Sequence, residues 1–246
     1  MKRTVSSLAL ALLFTIVALG TIAVRAPAAW LGDWLQSHTK VRLLDARGTV
    51  WQGSALLGIS DGRETTLVPG RIEWSVDDIG LRRIAARVSH PWFTMPLALA
   101  VDGNGMQLKQ GTARLPAGVL AGAGAPFNTL RPGGVLEVAW TDTEIRGTSL
   151  KGEMQVDWRD AQSALSTVVP LGSYRLTVRG TGGVPALDLR TLAGPLQMQG
   201  KGTVEGSRIR FNGIATAEPS MLGALNGLLG LLGMRSGDKV LLAIST

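Results

Sequence analysis

The sequence predicts an all-β protein, a mostly antiparallel, curved or twisted sheet system. To it are added an N-terminal transmembrane helix and a short C-terminal helix packed on the sheet. Three observations predict this. Residues 5–24 carry no charge. Beyond them, apolar and polar residues alternate with period two, the mark of strands with one buried and one solvated face. The 32 glycines, about twice the usual share, cluster at the ends of those alternations, where turns need positive φ.

The N-terminal run VSSLALALLFTIVALGTIAV is long enough for roughly 30 Å of helix. Val5, Leu8, Leu12, Phe14, Ile16, Leu19 and Val24 are its anchor residues. Lys2 and Arg3 precede it and favour a cytoplasmic N-terminus. Trp30 and Trp34 follow Arg25 and suit the far membrane interface. A cleaved leader with a site at Ala26–Ala28 is the competing reading; the length of the run and the Arg25–Pro27 flank favour an uncleaved anchor. The expected organisation is a cytoplasmic tip at 1–4, a span at 5–24, a juxtamembrane linker at 25–39 and a periplasmic β-rich domain at 40–246.

The strands follow in order. In RGTVWQGSALL, Trp51 shares parity with Ala55, Leu57 and Ile59, and Gly48 and Gly53 allow a bulge or close backbone approach, so Trp51 reads as packed at a corner of the sheet. GRIEWSV sets Ile72, Trp74 and Val76 against Arg71, Glu73 and Ser75. GEMQVDW does the same with Met154, Val156 and Trp158, YRLTVRG with Leu176 and Val178, and SRIRFNG with Ile209 and Phe211. Glycine turns separate them at 60–63, 102–105, 180–183 and 205–207. Gly70, Gly134 and Gly152 precede Trp74, Trp140 and Trp158 at even offsets, which keeps each indole on the apolar face. Leu115–Gly134 breaks the pattern and reads as a helical turn plus a loop between two halves of the sheet. A helix opens at Pro219 and closes near Gly233, and a last strand covers Lys239–Ile244.

Composition excludes more than it assigns. There is no cysteine, and the two histidines, His38 and His90, lie far apart, so neither a thiolate metal site nor a histidine-based triad is available. No phosphate loop or dinucleotide fingerprint occurs, no cofactor or metal is expected, and an enzyme is not the reading. The net charge of +7 is spread along alternating positions without a dense basic run, which argues against nucleic acid as a partner. Trp51, Trp74, Trp140 and Trp158 remain as candidate structural or groove aromatics.

Four ordered blocks carry a resemblance: RGTVWQGSA; LPAGVLAGAGAPFNTLRPGGVLEVAW; PLGSYRLTVRG with LDLRTLAGPLQMQGKGTV; and FNGIATAEPSMLGALNGLLGLLGMRSGD. With the N-terminal span they make the chain resemble the type II secretion system protein N family. The resemblance implies a single-pass inner-membrane protein with a periplasmic domain, supporting export of folded proteins across the outer membrane. It implies contacts with the inner-membrane platform, the periplasmic connector and the secretin, and no catalytic residue. The anchor leading to GTVWQG is also similar, more loosely, to AsmA-like envelope proteins, which implies lipid held in an open curved sheet.

Overall fold

A computed structural model describes residue 14 and residues 20–60, 65–124, 127–206, 208–237 and 239–245. The predicted turn at 60–63 lies mostly outside them, as do the anchor residues Val5, Leu8, Leu12, Ile16 and Leu19. Phe14 and residues 20–24 are helical, and Phe14 and Val24 are exposed. Among the described residues no helix is long and apolar enough to cross a membrane.

The stretch expected to link anchor and body folds as helix α1, Ala28–His38. Pro27 precedes it in extended conformation, and both the backbone N–H and the hydroxyl of Thr39 donate to the Leu35 carbonyl at its far end. Ala28 and Gly32 lie one turn apart on the face turned to the sheet. A β-carbon at Gly32 would already touch Leu43 Cβ at 3.4 Å, so only small residues let the helix lie this close.

Among the described residues sixteen strands form one antiparallel sheet. β1 (Val41–Gly48), β2 (Gln52–Ser60), β3 (Thr65–Ile79), β4 (Arg83–Ser89), β5 (Leu97–Asp102) and β6 (Gly105–Leu108) pair in chain order. The order then jumps: β6 pairs with β9 (Thr143–Arg146), and β9 with β10 (Ser149–Ser163). From β10 the sheet continues through β11 (Gly172–Gly183), β12 (Ala186–Ala193), β13 (Leu196–Glu205) and β14 (Arg208–Ala217) to β16 (Lys239–Ser245) and β15 (Met234–Ser236). The skipped strands β7 (Gly111–Pro116) and β8 (Pro132–Trp140) form a branch, with β8 pairing β10 beyond the point where β9 stops.

The region read as a turn and loop, Leu115–Gly134, is therefore partly strand at both ends. Leu115 and Pro116 extend β7, and Pro132–Gly134 open β8, because they pair with Leu136, Val135 and the far end of β10. Between them a 3-10 turn, Ala117–Ala123, and the short helix α2, Phe127–Leu130, carry the chain across. The C-terminal helix is α3, Leu222–Leu232, entered through a 3-10 turn at Pro219–Met221.

Period-two alternation gives the sheet two unlike faces. One buried cluster joins Leu225, Leu228 and Leu229 of α3 to Ala161, Tyr174, Leu196, Ala215 and Val240. A second joins Ala28 of α1 to Ala55 and Trp74. The apolar face is thus covered by a helix at each end of the sheet. Because Leu225 is fully buried and Leu231 largely exposed, Leu225→Ala should cost about 2–5 kcal/mol of stability and Leu231→Ala well under 1. Denaturant unfolding of the detergent-held chain, followed by tryptophan emission, measures both.

Candidate interaction surface

Of the four sequence-selected tryptophans, Trp51 and Trp74 meet at one corner of the sheet and Trp140 and Trp158 lie elsewhere, and each indole N–H is held by main-chain carbonyls. Trp51 Nε1 donates to the Ala23 carbonyl at 2.7 Å. Trp74 Nε1 reaches the carbonyls of Val50 (3.2 Å) and Thr49 (3.3 Å). Trp140 donates to Lys109 at 2.7 Å and Trp158 to Gly133 at 2.8 Å. Two of the rings lie over a glycine directly across the ladder. A β-carbon at Gly53 would come within 2.5 Å of Trp74 Cζ2, and one at Gly111 within 2.6 Å of Trp140 Cζ2. Phe211, paired with Gly202, reaches diagonally over Gly200 of the same neighbouring strand. Gly70, Gly134 and Gly152 all take positive φ, which only glycine adopts without strain. The glycine-then-tryptophan echo therefore marks positive-φ glycines within β3, β8 and β10, and in β3 and β8 the tryptophan that follows roofs a glycine of the neighbouring strand. Trp30 and Trp34 sit on the outer side of α1, more than half exposed, with Trp34 stacked on His38.

The other face carries the charges. Ion pairs join Asp77 to Arg87 (2.7 Å) across a bulge of β3, Lys109 to Asp142 (2.8 Å), and the register-paired Glu153 and Arg179 (2.8 Å). Their partners hold the carboxyls of Asp77 and Asp142 below the usual range. These pairs are largely exposed and screened by solvent, so they add little to folding. Between them Ala85, Ala98 and Ala100 leave a trough of about 460 Å³ across β4, β5, β6, β9 and β10, rimmed by Arg87, Lys109, Glu144 and Lys151. Small residues on the floor and long charged ones on the rim are what make the trough.

One carboxylate on this face is different. Asp157, in mid-β10, has a side chain only 5% exposed and takes two charge-assisted bonds from Arg175 at 2.6 Å. Arg159 adds a third at 2.8 Å. The Arg175 bonds, partly opposed by burial, lower its pKa, with the Arg175, Arg159 and Arg190 charges adding to the effect. In the sequence, Asp157 and Asp160 flank Arg159 three residues apart. The decisive partner, Arg175, arrives through strand register, and Asp160 points elsewhere at positive φ beside a bulge. His90, which no chemistry in the sequence implicated, is buried against Trp92 and Phe93. Burial pushes its pKa down, and its Nδ1 accepts from the Trp92 amide. Among the described residues no three histidine or acidic side chains converge to hold a metal ion. What the geometry offers is a broad, charge-patterned surface suited to binding.

A family model described as type II secretion system (T2SS), protein N, matches residues 39–241. The match begins at the end of α1 and runs into β16. No curated protein and no solved structure matches the chain.

Removing the Asp157 charge leaves Arg175 in a half-buried site without its counter-ion. Asp157→Asn should destabilise the protein by about 1–3 kcal/mol at neutral pH. The folded-state pKa of Asp157 is depressed, so its contribution is fully present above the unfolded value of about 3.9 and is lost as pH falls through the lower folded value. Unfolding free energies measured between neutrality and strong acid should therefore decline less steeply in the variant. An equal decline in both proteins excludes the assignment.

Proposed function

The chain belongs to the type II secretion system protein N family, and from that premise we propose that it is a non-enzymatic inner-membrane component of the secretion machine. In this reading residues 5–24 form a single anchor with the N-terminus in the cytoplasm. Trp30 and Trp34 sit at the far interface, and the sheet stands in the periplasm. There the sheet supports export of folded proteins across the outer membrane by contacting the inner-membrane platform, the periplasmic connector and the secretin. The single observation that carries the contact role is the charge-rimmed trough across β4 to β10. Exposed ion pairs contribute little to the fold, whereas such a pattern steers and orients a partner of complementary charge.

A second reading, an AsmA-like protein holding lipid in an open curved sheet, is favoured by a different feature. Between the two helix-covered clusters, Leu97, Leu99, Leu108, Met154 and Val178 continue the apolar face and are only partly buried. Lipid retained through gentle extraction and seen by native mass spectrometry would favour it over the first.

Lys109→Glu with Lys151→Glu reverses the rim without touching either buried cluster. The double variant should keep its thermal transition, lose co-purification with the other secretion subunits, and cut export of a secreted reporter several-fold. Unimpaired export in a strain lacking the protein altogether would exclude the secretion role.

A further inference from the structure

The trough leaves unexplained the most exposed apolar group on the sheet, at the tip of the β3–β4 hairpin. Turns between strands are ordinarily polar. Here the tip reads Ile79-Gly80-Leu81-Arg82-Arg83-Ile84, with Leu81 wholly exposed, Ile79 59% exposed and Ile84 43%. Ile79 pairs with Ile84, and Ile84 with the half-exposed Val101 of β5, so the apolar side chains form one continuous row across three strands. Among the described residues no ion pair engages Arg82 or Arg83.

The position of this tip is set by register. The residues just before α1 meet the sheet at the corner where β1 ends and β2 begins. Trp51 bonds the Ala23 carbonyl, the Val50 amide donates to Ala26 at 2.9 Å, and Thr49 bridges Pro27. Residues 49–51 are thereby fixed against the last turn of the apolar segment. β3 passes this same corner, with the Val76 amide donating to the Trp51 carbonyl. It then runs on to Ile79, roughly 10 Å further at the strand rise. The hairpin tip therefore projects past the corner, at the end of the sheet where the apolar segment joins.

We propose that the β3–β4 hairpin tip is a second membrane contact, its Ile79, Leu81 and Ile84 entering the interface of the bilayer that the anchor spans. The proposal rests on the reading of residues 5–24 as that anchor. Two arginines on the tip are matched by Asp78 nearby and by Asp102 across from Arg83, whose carboxylate caps the next turn through Asn104 and Gly105. Burial of apolar side chains rather than net charge drives the contact, while the guanidinium heads reach lipid phosphates from the interface. Anchor and tip together make a two-point attachment that fixes the orientation of the sheet on the membrane.

The absence of native cysteine makes the test direct. Single-cysteine variants Phe14→Cys, Leu81→Cys and Leu67→Cys of the full chain are labelled with an environment-sensitive dye. Each is reconstituted in vesicles of phosphatidylethanolamine and phosphatidylglycerol. Leu67 is exposed and lies on β3 roughly 40 Å along the strand from Ile79. The label at position 81 should shift to the blue and lose intensity to a quencher carried near the lipid headgroups, and the label at position 67 should do neither. Position 14 should be quenched only by a mid-bilayer quencher. A solvent-like label at 81 beside a deeply quenched label at 14 overturns the hairpin contact and leaves the anchor standing. A solvent-like label at 14 overturns the anchor and the proposal with it.

Discussion

Strand β10 is the constraint on which the rest of the structure depends. One of its edges bonds β11 along nearly its whole length, and the other is shared between two partners. Its first residues take β9 and thereby the whole N-terminal half of the sheet, while its later residues take β8 and the β7 branch. A strand in that position cannot shift by one residue without turning both branches inside out. Asp157 guards the register. Set opposite Arg175 and bonded also to Arg159, it is satisfied in one alignment and would be an unpaired buried charge in the neighbouring one.

The second constraint is that a sheet of this width has more apolar face than two eleven-residue helices can cover. The protein meets this with rings. Trp74, Trp140 and Phe211 lie flat on glycines of the adjoining strand, filling the gap left by a missing side chain. Trp74 and Trp140 in addition tie an indole N–H to the main chain. That spends the tryptophans on architecture and turns attention from aromatic grooves to the charged face as the binding surface. At the β3–β4 tip, by contrast, Ile79, Leu81 and Ile84 are exposed together, with no ring or helix over them.

The corner around Trp51 ties this architecture to the segment that precedes α1. A flexible connection would let the β-body sample all orientations, whereas α1 packed on β1 and three main-chain contacts at residues 49–51 hold it to the end of the apolar segment. In the proposed role, that fixed orientation would present the charged trough to partners in one pose.

Much of this was written locally. Alternation of apolar and polar residues determined the strands and which side of each faces inward, and so set Trp74, Trp140 and Trp158 on the apolar face. The leucine pattern after Pro219 determined α3, and the uncharged run 5–24 the expected anchor. Other features depend on residues that meet only when the sheet assembles. They include the fork at β10, the strands hidden at both ends of Leu115–Gly134, the pairing of Asp157 with Arg175, and the overhang of the β3–β4 tip past the Trp51 corner. Periodicity encodes which face a side chain takes, because that is a property of one strand. Partner and register are properties of two strands distant in sequence, and only the summed fit of both faces across the whole sheet decides them.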